Sequence, residues 1–185
     1  MVQPMDDSRF DWSDDVMALC LTFVEGMSPA QVEARLGADG STRRTTTFDE
    51  AADQQDFGEE RFAVQLGSLD GWTVVVEPNG YICSQDAVLA DLSAAGRAVM
   101  VCWNVNMDSR FGYARDGVLL RVYDPVLGTT EVGAPLPQEP VGEQDRPIQA
   151  ALALAGALTG VRLTQRWLLD QTRPTVTCPL VAPTN

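Results

Sequence analysis

The chain has no histidine, and all thirteen of its basic residues are arginine, with no lysine among them. Without imidazole there is no side chain whose ordinary pKa suits a general base near neutral pH. Without a primary amine no Schiff base forms. Nucleophilic triads built on histidine are therefore closed to this chain unless a partner supplies the missing group. A Walker-type phosphate loop requires lysine and is excluded with it, and neither a G-x-G-x-x-G turn nor a G-x-S-x-G elbow is present. The N-terminal aspartates do not follow the alternation of a calcium loop. No cofactor motif emerges.

The four cysteines, at 20, 83, 102 and 178, form no C-x-x-C, so zinc spacing is absent as well. Cys20 and Cys102 fall in apolar runs, where a thiol serves as a small buried hydrophobe. The opening MVQPMDDSRFDW lacks the basic-then-apolar pattern of a secretory leader. The longest apolar helical stretch, Ile148 to Leu158, is far short of the ~20 residues needed to cross a bilayer. The expected compartment is the cytoplasm, with no membrane association.

What the chain has in excess is carboxylate. The net charge is −13, and residues 1–60 hold fourteen acids against four arginines. Such a field repels nucleic-acid phosphate and steers a cationic protein partner toward the front of the chain, besides keeping the protein dispersed. At 185 residues and 45% apolar composition, the chain is long enough for one ordinary hydrophobic core.

The pattern along the chain predicts a loose acidic tail over 1–12 and one domain over 13–185. Val16, Leu19, Cys20, Phe23 and Val24 recur at helical spacing behind Ser13 as N-cap. Ser28-Pro29-Ala30-Gln31 reads as a capping box opening a second helix. Residues 38–47 read as loop, and 48–57 as a short third helix with a thin apolar face. Phe62, Val64 and Leu66 alternate, and with Trp72–Val76 they predict a hairpin. Ser84 precedes a helix carrying Val88, Leu89 and Leu92. Ala98–Val105 reads as a strand covered on both faces.

Asp116-Gly117 predicts a type I′ turn that sets Tyr113 opposite Leu120 and Phe111 opposite Val122. Arg110, Arg121 and Tyr123 then share the other face, where Gly112 and Ala114 leave room for close packing. A Pro- and Gly-rich connection over 124–147 leads to C-terminal helices near 148–158 and Trp167, and an edge strand runs through Val176. The expected fold is α+β: a mainly antiparallel sheet of about five to six strands, with an N-terminal helix pair, a mid-chain helix and C-terminal helices packed on it.

Two groups of residues could carry function. Asp49, Asp53, Asp56 and Glu60, in steps of four, three and four, would share one stripe of a helix and present acid to a cationic partner. In a loop the same spacing carries no meaning. The second group, Glu77, Asn79, Asn104, Asn106, Asp108, Arg110 and Arg115, stands at the ends of apolar strands, where ligand pockets are often built. Within it, Glu77 and Asp108 are the one carboxylate pair that could serve a hydrolase. Turn-forming roles account equally well for Asn104, Asn106 and Asp108.

The segments GWTVVVEPNGY (71–81), NVN (104–106), RFGYARDG (110–117) and VYDP (122–125) resemble an uncharacterised family of small actinobacterial proteins, a domain of unknown function found in streptomycetes and their relatives. RLGAD (35–39) and LTGVRLT (158–164) fit the same likeness. It implies a single domain and a source consistent with the arginine-only composition, and it brings no reaction or ligand. Three functions stand as expectations. The first is a non-catalytic binding protein, most concretely an acidic immunity or antitoxin-type protein that neutralises a basic partner. The alternatives are the carboxylate hydrolase and a small-ligand sensor or accessory scaffold.

Overall fold

A computed structural model describes residues 8–180 of the chain. Among them, nine strands make one sheet: β1 (Leu19–Val24), β2 (Asp39–Thr46), β3 (Arg61–Leu69), β4 (Trp72–Pro78), β5 (Arg97–Trp103), β6 (Ser109–Arg115), β7 (Val118–Tyr123), β8 (Thr130–Val132) and β9 (Arg173–Pro179). Their order is β2-β9-β3-β4-β1-β5-β6-β7-β8, and every pairing is antiparallel. Four α-helices accompany it, α1 (Pro29–Arg35), α2 (Phe48–Ala52), α3 (Asp86–Leu92) and α4 (Pro147–Thr159), and the short helix expected around Trp167 is a π-helical segment, Arg166–Asp170.

The α+β class stands, but the sheet is larger than the five to six strands expected, and there is no N-terminal helix pair. The segment read as the first helix of that pair is β1, at the centre of the sheet between β4 and β5. A short apolar run such as Leu19–Val24 satisfies helical and strand spacing together, so periodicity cannot separate them. All six residues are buried, and this demand for two covered faces is met by a central strand. Ser13, expected to cap that helix, instead accepts a hydrogen bond from Gln149 Nε2 at 2.8 Å. The second helix is real: α1 opens on a capping box in which Ser28 Oγ accepts from the Gln31 amide.

The extra strands come from segments without an apolar signal. Residues 39–46, read as loop, form the edge strand β2, whose register against β9 shifts between Asp39 and Arg44. Three-residue β8 lies within the Pro-rich connection. β9, expected at an edge, lies between β2 and β3. Of the segment expected as a tail, Phe10 and Trp12 are buried, while residues 1–7 lie outside the described residues.

Alternation along the strands builds two cores. Leu19, Leu21, Phe23, Val74, Val76, Val99, Val101 and Phe111 face α4 and the Phe10–Trp12 segment. Cys20, Val24, Val64, Leu66, Val75, Met100 and Val176 face α1 and α3. Each fully buried side chain of this size contributes roughly 1.5–3 kcal/mol relative to exposure.

The Asp116-Gly117 turn has positive φ at both residues (51° and 81°), as a type I′ hairpin requires. The register beyond it departs from expectation. Ala114 pairs with Leu119 but Tyr113 with Arg121, so Leu120 is an unpaired bulge residue. The slip brings Tyr123 opposite Phe111, with ring centroids 5.1 Å apart, and buries Arg121, which pairs with Glu139 at 2.6 Å. The room at Gly112 is filled by Leu89 of α3, which the Cβ of an alanine there would overlap while approaching Met100 Cε to 3.1 Å. Gly112→Ala should therefore lower the urea midpoint by the equivalent of about 1–3 kcal/mol at unchanged m, while Gly40→Ala, in open space, should leave it within about 0.5 kcal/mol.

Candidate functional site

Antiparallel register gathers several strand ends at one place. Leu19 at the start of β1 pairs with Pro78 at the end of β4 and with Trp103 at the end of β5, and Trp103 pairs with Ser109 at the start of β6. The loops leaving these positions enclose a cavity of about 400 Å³ lined by Phe57, Asn79, Gly80, Tyr81, Cys102, Asn104, Asp108 and Arg110, among others. One wall is aromatic: Phe57 and Tyr81 both stand edge-on to Phe62, at 5.5 and 5.2 Å.

The polar wall is organised from within. Asn104 Oδ1 accepts the amides of Asn106 (2.9 Å) and Asp108 (3.1 Å), while its Nδ2 donates to Asp108 Oδ2 at 3.0 Å. Arg110 donates to the Ser84 carbonyl and reaches Asp86 and Glu131, each at 2.7 Å, which ties β6 to the entry of α3 and to β8. Of the polar residues picked out from strand ends, Asn79, Asn104, Asp108 and Arg110 thus meet around one cavity. Asn106 stands exposed on its rim loop. Arg115 sits at the opposite end of β6, beside Arg97 of β5.

Glu77 does not line the cavity; it is fully buried beneath it. Its Oε2 accepts from the Ile82 amide at 2.6 Å and its Oε1 from the Cys83 amide at 2.9 Å, which folds the chain back after β4. Gly80 permits this turn, since a Cβ there would stand 3.2 Å from Glu77 Oε2. Burial pushes the Glu77 carboxyl above its ordinary value of 4.5, against the downward pull of the Cys83 and Ile82 amides and the Cys83 and Cys20 thiols. All four cysteines are free. Burial raises the thiols of Cys20, Cys83 and Cys178, and the Glu77 carboxylate adds to the effect on each. Among the described residues no cluster of three or more histidine, cysteine or acidic side chains has the placement to hold a metal.

The four acids read as one helical stripe do not form one. α2 ends at Ala52, Asp53 is its C-cap, Asp56 Oδ1 accepts the amides of Gly58 and Glu59 in a turn, and Glu60 has φ 53°. Asp49 and Asp53 do meet Asp15 and Asp170 around a second hollow of about 470 Å³. A third, of about 570 Å³, holds Asp14, Asp145 and Arg146. Val105 borders all three hollows, and Met17 borders two of them. Five large apolar side chains, Met17, Phe57, Tyr81, Val105 and Met107, are exposed around this end of the sheet, Met17 at 77% and Val105 at 64%. Sequence reasoning passed over Met17, Val105 and Met107. The signal was there in Asn104-Val105-Asn106-Met107-Asp108, a polar turn carrying two apolar side chains it does not need for its own geometry.

Fold and site together define an α+β protein with a single antiparallel sheet, whose loops build a cavity and adjoining hollows at one strand end. Within that class the chain belongs to a family of unknown function (DUF6461), whose pattern matches residues 7–182. Neither a curated protein nor a solved structure matches it. No helix among the described residues is long and apolar enough to cross a membrane.

The raised Glu77 carboxyl makes a pH signature. Where the pH lies between 4.5 and the raised folded-state value, the native protein keeps a proton that the unfolded chain has released. This contribution to stability is full below 4.5 and is lost as pH rises through the folded-state value. Subtracting the stability–pH curve of Glu77→Gln from that of the wild type, by urea denaturation, should show a decline with rising pH in that window and a flat difference above it.

Proposed function

We propose that this protein works by binding, and that it docks a basic protein partner on the Val105 end of its sheet in the manner of an immunity protein or antitoxin. The observation that carries this reading is the union of exposed apolar side chains with acid at one place. Met17, Val105 and Met107 project between hollows bordered by Asp14, Asp15, Asp49, Asp53, Asp145 and Asp170. An apolar centre with a charged rim is the layout of a protein interface. The one arginine bordering the second and third hollows, Arg146, is held by Asp11 and Asp14 at 2.5 and 2.8 Å. Asp15, Asp49, Asp53, Asp145 and Asp170 make no ion pair among the described residues. A net charge of −13 would speed encounter with a cationic surface.

The cavity of about 400 Å³ falls within the range of small-ligand sites and favours the sensor reading as the second choice. The hydrolase alternative has no such support, because Glu77 is fully buried and does not line the cavity where Asp108 stands. Arginine-only basic composition supports an actinobacterial source, and four free thiols support a cytoplasmic setting.

The test is capture of the full chain from its native cell at low and high salt, identification of the bound protein, and titration with that protein once purified. The partner should be basic and its affinity should fall with salt. Val105→Asp should weaken it at least about tenfold, because a charge enters the apolar centre. Val118→Asp, exposed at the far end of the sheet, should leave affinity unchanged. A partner that binds Val105→Asp as tightly as wild type, or no partner at either salt, would overturn the reading.

A further inference from the structure

We propose that Cys102 and Cys20 are a reactive thiol pair, which hydrogen peroxide or a small organic hydroperoxide converts to a cross-strand disulfide with Glu77 accepting the Cys20 proton. The placement comes from register alone. Glu77 of β4 pairs with Cys20 of β1, and Cys20 pairs with Cys102 of β5, so the three side chains stand in a row on one face of the sheet. Directly opposed register makes Cys102 and Glu77 the cross-strand neighbours of the Cys20 thiol, whose pKa is raised by burial first and by both neighbours further. Three of the four cysteines are buried; Cys102 alone is partly exposed, and it lines the cavity beneath Tyr81 and Asn104. A space of about 400 Å³ admits a small hydroperoxide to that sulfur.

Two steps follow. The Cys102 sulfur attacks one peroxide oxygen; the S–H and O–O bonds break, an S–O bond forms, and the thiol proton passes to the released oxygen, which leaves as water or an alcohol, so that sulfur is oxidised by two electrons and the peroxide reduced. The Cys20 sulfur then attacks the Cys102 sulfur while Glu77 takes the Cys20 proton; the S–S bond forms, the S–O bond breaks, and hydroxide departs into the cavity, where it takes a proton from water. Glu77 afterwards gives up the proton it received, which restores the balance. With hydrogen peroxide the sum is two thiols and one peroxide to one disulfide and two waters. The two amide donors that hold Glu77 keep its carboxylate aimed while it accepts and gives up this proton.

Burial raises the Cys20, Cys83 and Cys178 thiols, which keeps them protonated and slow toward an oxidant, so attack falls first on Cys102. Directly opposed strand residues hold their Cβ atoms about 4.5–5.5 Å apart, whereas a disulfide prefers about 3.8 Å. Closing the bond draws β1 and β5 together by roughly 1 Å, and a bond so strained is readily reduced. The pair is therefore a reversible mark, and it does not depend on the docking reading.

The deciding experiment treats the full wild-type chain with a small excess of hydrogen peroxide, then alkylates it under denaturing conditions and maps its peptides by mass. The expected result is loss of two alkylatable thiols, a peptide joining Cys20 to Cys102, and full recovery with dithiothreitol. Four thiols still alkylatable, or oxidation falling first on Cys83 or Cys178, would overturn the proposal without recourse to any variant. In Cys20→Ala a dimedone-reactive sulfenic acid should persist on Cys102. In Glu77→Gln that sulfenic acid should form at the wild-type rate but close at least about tenfold more slowly. Closure at the wild-type rate would remove Glu77 from the step.

Discussion

A strand that is apolar on both faces is stable only with a hydrogen-bonded neighbour on each side and a packed layer above and below, and Leu19–Val24 imposes that demand on the rest of the chain. β4 and β5 supply the neighbours. Alternate residues of the same strand then enter two separate cores, one under α4 and the N-terminal segment, the other under α1 and α3. Three of the four α-helices span seven residues or fewer. The site inherits its position from the same strand, since the start of β1 fixes where β4 and β5 end and hence which loops meet.

The elements legible in the sequence were those whose signal was local. The capping box at Ser28, the hairpin of β3 and β4, the Asp116-Gly117 turn and the apolar strand β5 all carry their own instructions. What escaped was decided by distant contacts. β1 fits helical spacing as well as it fits a strand, and only its neighbours choose. β2 has almost no apolar pattern, and its run of threonines was the one available hint of extended structure. The bulge at Leu120 is invisible to turn chemistry because it arises in the middle of the hairpin, where the burial of Arg121 against Glu139 favours the slipped register.

The site was legible in a similar proportion. Polar residues at strand ends pointed to Asn104 and Arg110, and the sheet does bring these together around a cavity. Arg115 belonged to the same pattern but to the other end of its strand, a distinction that needs the topology. The acidic spacing of Asp49 to Glu60 depended on a helix that ends after five residues, yet Asp49 and Asp53 still reach one hollow with Asp15 and Asp170. The row Glu77–Cys20–Cys102 joins Cys20 to residues more than fifty positions further along the chain, and no local pattern in the sequence encodes it.

An open sheet of nine strands leaves two borders, and here both are poor templates. β2 is interrupted by its shifted register and carries Arg43 and Arg44, while β8 offers only three residues. Stray strands from other molecules find no long flat ladder to extend at either border. Growth of the sheet by edge pairing is thus opposed at both margins.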